Sequence, residues 1–176
     1  MSAEKVILVD INDQEIGTME KMEAHRKGLL HRAFSIFIFN SNNELLIHQR
    51  AFEKYHSGGL WTNTCCSHPR KGETVIEAAN RRLMEEMGMK CKLDHQFSFI
   101  YNKKLDKGLT EHELDHVIFG FTDDLPNINK EEVATWKSVT IEDLEKNISN
   151  SPNLYTEWFK ICFPKMKEHF KAVINA

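Results

Sequence analysis

The sequence has no apolar run near the roughly 18–20 residues that a membrane-spanning helix needs, and its longest, around Phe34 to Phe39, is the length of a strand. It has no excess of either charge. A formal charge of −3 from 23 basic and 26 acidic residues gives no field to draw nucleic acid or an acidic membrane, so neither is expected as a partner. Cysteines are few, and two of the four, Cys65 and Cys66, are adjacent. That spacing suits a disulfide framework poorly, so reduced thiols and a cytosolic setting are expected. The opening Met1-Ser2-Ala3-Glu4-Lys5 shows no charged-then-apolar secretory pattern. Repeats, low-complexity stretches and dividing linkers are also missing. What remains, 176 residues with 41% apolar and 28% charged content, reads as one globular domain, residues 1–176, able to bury a core.

Short β-rich runs dominate the first half. Val6–Val9 closes on Asp10-Ile11-Asn12-Asp13 as a strand and turn, and Ala33–Phe39 stops at Asn40-Ser41-Asn42-Asn43. Leu45–Arg50 then reads as the hairpin partner of that second strand. Met19–His31 is mixed and polar, a helix or a loop. The clearest helix runs from Thr74 to Met87, with an apolar stripe Ile76, Ala79, Leu83 and Met87 and Gly88 as its stop. Phe97–Tyr101, Glu113–Phe121 and Ala134–Val139 read as strands, Ile141–Leu144 opens a short helix and Tyr155–Val173 forms a longer one. Strands around one central helix with helices at the end predict an α+β sandwich.

Four groups of residues carry chemistry. Glu73, seven residues, then Arg81-Arg82-Leu83-Met84-Glu85-Glu86-Met87-Gly88-Met89 resembles the Nudix box, whose glutamates share a helical face and hold Mg²⁺ on a diphosphate. Ser67 stands at the leading glycine of that box and Arg82 at the first Glu of its triplet. A guanidinium in place of a metal ligand weakens a hydrolase and favours holding a diphosphate intact. In the second group, Cys66-Ser67-His68, residues two apart on a strand share a face. Cys66 and His68 should therefore point together and Cys65 away, as a small core residue. Glu111 and Glu113 share the same period, although alternating carboxylates at a strand edge usually face solvent. His25 and His31, six apart, fit no short zinc motif, and each alone reads as a surface or capping histidine.

Three imidazoles and two carboxylates together make a five-ligand divalent site. The stretches holding them, Leu30-His31-Arg32-Ala33-Phe34-Ser35, Leu60-Trp61-Thr62-Asn63-Thr64-Cys65-Cys66-Ser67-His68-Pro69 and Glu111-His112-Glu113, resemble the type I isopentenyl-diphosphate Δ-isomerases, a Nudix branch, from Val6 to about Trp158. The resemblance implies a Nudix-like α/β/α sandwich with a mixed sheet. It also implies interconversion of isopentenyl and dimethylallyl diphosphates, with a proton added at C4 and another removed at C2 through a tertiary cation. Carried over residue by residue, it places Cys66 on one side of the olefin and Glu113, assisted by Tyr101, on the other. His25, His31, His68, Glu111 and Glu113 become metal ligands, and Glu86 holds Mg²⁺ on the substrate.

Lys21, Arg50, Lys54, Arg82 and Ser67 fall at the implied diphosphate end, and Trp158 offers its ring face to the cation, an interaction worth about 2 kcal/mol when desolvated. The resemblance implies Mn²⁺ or Mg²⁺ in the His/Glu site, whereas affinity order alone favours Zn²⁺. The expected partner is one small allylic or homoallylic diphosphate. Two rivals remain at this stage. A Nudix hydrolase of a nucleotide diphosphate would not need Cys66. A non-catalytic metal-binding module would use Cys65, Cys66 and His68 to stabilise the fold.

Overall fold

A computed structural model describes residues 3–176. Among the described residues, nine strands form one mixed sheet. In chain order these are β1 (Lys5–Val9), β2 (Glu15–Glu20), β3 (His31–Phe39), β4 (Glu44–Arg50), β5 (Trp61–Thr62), β6 (Cys65–Ser67), β7 (Leu93–Lys104), β8 (Thr110–Phe121) and β9 (Val133–Thr140). Helix α1 (Lys21–Lys27) lies between β2 and β3, α2 (Val75–Met87) between β6 and β7, and α3 (Ile141–Asn150) and α4 (Glu157–Ile174) follow β9. Among the described residues no helix is long and apolar enough to cross a membrane.

β3 is the spine. It pairs with β8 in parallel along its whole length, His31 opposite Glu113 and Phe39 opposite Phe121, and with β6 antiparallel, Ser35 opposite Cys66. The near-continuous apolar run of β3 follows from burial on both faces. Phe34, Ile36 and Ile38 pack under Ala78, Ala79, Leu83 and Met87 of α2. Phe37 and Phe39 pack with Val117 and Phe119 under Phe159, Phe163 and Phe170 of α4. Helix α2 starts on a reciprocal capping box, Thr74 with Glu77, and stops at Gly88 in the left-handed conformation.

Two sequence expectations are corrected. Leu45–Arg50 is not a full hairpin partner of the preceding strand. β4 meets β3 at the single pair Phe39–Leu45 and then pairs with β9 from Glu44–Thr140 to Arg50–Val133. The polar stretch before His31 holds both a strand, β2, and a short helix. β2 is an edge strand with mostly exposed or half-buried residues, so it carries no inward apolar alternation to read.

Candidate active site

The α4-facing side of the sheet is apolar at one end and polar at the other. Side chains paired across strands lie on one face, so the registers His31–Glu113, Tyr101–Glu113 and Ser35–Cys66 gather these residues on one side. Along β8 the period of two adds Glu111 and Asp115. The apolar end accepts α4, and the polar end becomes a recess lined by Ser35, Cys66, His68, Tyr101, Glu111 and Glu113, with Trp158 from the start of α4 against it. Cys65 is paired with Ile36 and faces the other way, fully buried under α2. The strand-period reading of the two cysteines therefore holds. The solvent-facing reading of Glu111 and Glu113 does not, since both are buried. Parallel pairing with β3 puts this strand in the middle of the sheet, and that pairing leaves no local mark in the sequence.

His25 and His31 are fully buried rather than surface or capping residues. His25 Nδ1 donates to the Lys21 carbonyl at 2.7 Å and His31 Nδ1 to the Leu29 carbonyl at 2.8 Å. With that proton committed, each neutral ring presents the Nε2 lone pair, and neither Nε2 has a hydrogen-bond partner among the described residues. His31 Nε2 instead faces Glu113 Oε1 at 3.4 Å, and His25 Nε2 faces Glu111 Oε1 at 4.0 Å. Acceptors facing acceptors in a buried pocket call for a cation between them. One ligand atom each from His25, His31, His68 and Glu113 lies within 4.8 Å of the others, so the residues present fit a divalent ion with backbone-oriented histidines.

Burial holds the His25 imidazole down at about 4 and also lowers His68, so neither ring carries a proton that competes with a metal at neutral pH. Burial alone would raise Glu113, but His31 and His68 hold it well below the usual carboxylate range. Glu111 is pushed well up by burial and by the neighbouring Glu113. The Tyr101 hydroxyl bridges the pair, 2.6 Å from Glu111 Oε2 and 2.9 Å from Glu113 Oε2. Further along the strand, the Ser35 hydroxyl donates to Asp115 at 2.8 Å, and burial followed by Glu113 pushes that carboxyl up to about 8. Burial also pushes the Cys66 thiol up, so it stays protonated in the recess.

The recess opens beside a second pocket lined by Lys21, Arg50, Lys54, Ser67, Arg82 and Glu86. Arg50 belongs to both; its guanidinium sits over the Trp158 ring, 5.0 Å from the centroid. Among the described residues, Arg50 Nε and Arg82 Nε are buried donors without an acceptor, which suits an anion arriving between them. Lys21 meets Glu4 at 2.7 Å, Lys54 meets Glu132 at 2.5 Å, and Arg82 pairs with Glu86. Although burial works against its charge, Glu86 beside it raises Arg82 further. The Cys65 thiol donates to Glu86 at 3.4 Å from the other side. Glu4, Glu132, Tyr55 and His56 line these pockets, and Asp115 lies behind Ser35, without having been singled out by the sequence. Asp115 alone had a signal, the period of two from Glu111 and Glu113.

A model of the NUDIX domain family matches residues 29–159. An isopentenyl-diphosphate Delta-isomerase of Pectobacterium atrosepticum is 51% identical over 172 residues, covering 98% of this chain and 96% of its own length. The isopentenyl-diphosphate Delta-isomerase 2 of Aromatoleum aromaticum is 48% identical over 163 residues, covering 93% and 86%. Among solved structures, a Deinococcus radiodurans protein aligns with a TM-score of 0.75 at 21% identity over 90% of this chain and 96% of its own. A MutT protein from Methanosarcina mazei aligns with a TM-score of 0.64 at 17% identity, over 79% of this chain and 94% of its own. Those two likenesses bear on the fold.

Proposed function

As a member of the Nudix family, and within it of the isopentenyl-diphosphate Δ-isomerases, this chain interconverts isopentenyl and dimethylallyl diphosphates, and we propose that Cys66 and Glu113 move the two protons involved. Protonating C4 draws the electron pair of the C3–C4 double bond into a new C–H bond and leaves a tertiary cation at C3. Removing a proton from C2 returns that C–H pair as the C2–C3 double bond. One group supplies the first proton and the other accepts the second, and the reverse reaction exchanges their roles. Tyr101 holds the inner oxygen of Glu113 while Glu111 shares the same hydroxyl, which keeps the carboxylate aimed at the olefin. Trp158 and the buried walls shield the cation from water and offer it a π face.

The diphosphate is read at the neighbouring pocket by Lys21, Arg50, Lys54 and Arg82, with Ser67 at its rim. His25, His31, His68, Glu111 and Glu113 would hold a divalent ion, Mn²⁺ or Mg²⁺ as the family resemblance implies, that would fix the orientation of Glu113, and Glu86 would hold Mg²⁺ to supply charge neutralisation for the diphosphate. Four free cysteines support a reducing, cytoplasmic setting.

The reading is carried by a half-buried thiol lining one recess with the Tyr101–Glu111–Glu113 cluster, an arrangement that phosphate hydrolysis does not use. Against the metal-binding module, Cys65 and Cys66 lie on opposite sheet faces, so they cannot join His68 around one ion. Incubation with isopentenyl diphosphate and Mg²⁺ in D₂O tests it. Deuterated dimethylallyl diphosphate is the expected product. Phosphate release would mark a hydrolase, and no reaction would leave a structural module.

A further inference from the structure

We infer that His56 is a sixth protein ligand of the His/Glu centre, an inference that rests on the reading of His25, His31, His68, Glu111 and Glu113 as a cation site. His56 lies in the loop between β4 and β5, and that loop is built to turn its ring inward. The Gly59 amide donates to the Arg50 carbonyl at 3.1 Å, the Arg50 amide to the Leu60 carbonyl at 2.9 Å, and the Arg50 guanidinium to the His56 carbonyl at 3.1 Å. A Cβ at Gly58 would fall 2.4 Å from the Phe52 carbonyl oxygen, so a side chain there would force the loop open. Ser57 is held in the left-handed region at φ +53°, which L residues adopt only where the surroundings enforce it. The result is an imidazole 2% exposed, edge-on to Trp158 with ring centroids 5.5 Å apart.

Its Nδ1 is 3.2 Å from the Ser57 hydroxyl, and its Nε2 has no hydrogen-bond partner among the described residues. That Nε2 is aimed at Glu111 Oε1, 3.6 Å away. One ligand atom each from His25, His56 and Glu111 lies within 4.8 Å of the others, and the same holds for His25, His31, His68 and Glu113. The two sets share His25. Its Nδ1 is occupied by the Lys21 carbonyl, so it has one lone pair to give and can bind one ion. An ion held by His25 can therefore be reached from both sets, as two sides of one centre. Tyr101 ties them together by bonding both glutamates.

Four imidazole nitrogens and two carboxylate oxygens make six donors, the number an octahedral ion takes. At bond lengths of about 2.1 Å, opposite donors of an octahedron lie about 4.2 Å apart; the atoms within each set are already within 4.8 Å of one another, and His56 and Glu111 would close onto the ion from the side opposite the first set. A shell closed by six side chains leaves no coordination position for water or for the diphosphate. The ion is then confined to orienting Glu113, and no metal-bound water stands beside the cation.

X-ray absorption fine structure of the Mn²⁺-loaded protein, without diphosphate, counts the imidazoles directly. Four are expected in the wild type and three in His56→Ala, whose Mn²⁺ affinity in a competition titration should fall at least about tenfold. Three imidazoles in the wild type, or an unchanged affinity in His56→Ala, would overturn the assignment and leave the five-ligand centre standing. The wild-type count needs no variant, so a misfolded His56→Ala does not remove the test. His31→Ala separates the two readings. If it binds Mn²⁺ as tightly as the wild type, the His/Glu centre itself is wrong and the sixth ligand falls with it.

Discussion

Adjacent cysteines with different fates show how much one residue of strand register decides. Cys66 faces the recess, whereas Cys65 is a core residue whose thiol donates to Glu86. Cys65→Ala should keep most of the turnover and cost about 1 kcal/mol of stability; loss of turnover with a retained fold would mean the thiols are assigned the wrong way round. Tyr101→Phe removes the hydroxyl shared by Glu111 and Glu113 and should lower kcat about 100-fold with little change in KM. A rise in KM alone would move Tyr101 from proton handling to substrate binding. Cys66 and His68 were legible because a period of two is a local property. His56 was not, because its inward turn depends on a loop closing through Arg50 and Gly58, contacts that composition does not record.

At the scale of elements, α2 and β3 were the most readable. The capping box at Thr74 and the stop at Gly88 mark the ends of α2, and double-sided burial gives β3 its unbroken apolar run. Thr74→Ala should cost about 1 kcal/mol of stability while leaving kcat alone, since the cap lies outside the site; thermal unfolding and a turnover assay together decide this. Strand pairing was less readable. The parallel β3–β8 ladder that buries Glu111 and Glu113 joins segments about eighty residues apart, and the carboxylates' alternation looks the same in a buried strand as in an exposed one. Arg82 is where α2 departs most from its family's box. Arg82→Glu would set a fourth carboxylate beside Glu85, Glu86 and Glu132, so the KM for isopentenyl diphosphate should rise at least tenfold without any phosphate release. Appearance of hydrolysis would show that Arg82 alone separates the two chemistries.

Across the whole molecule, burial is spent on groups that must stay neutral or paired. Burial lowers five histidines, His25, His48, His56, His68 and His116, with His25 at about 4 and His56 at about 2. Their folded values lie below the unfolded value of about 6.5, so the unfolded chain takes up protons first as the pH falls. The stability they contribute is full above about pH 6.5 and is lost on acidification, by up to about 1.4 kcal/mol per pH unit for each ring. Urea unfolding of the metal-free protein at pH 7.5, 6.0 and 5.0 should show that decline, and a flat profile would mean the rings are not held neutral. The most direct test of the central claim is the turnover of Cys66→Ala measured beside its metal content. The thiol lines the recess without belonging to the metal-ligand set, so the variant should fold, load its ion as the wild type does, and convert no isopentenyl diphosphate. Wild-type turnover in a fully loaded Cys66→Ala protein would contradict the account.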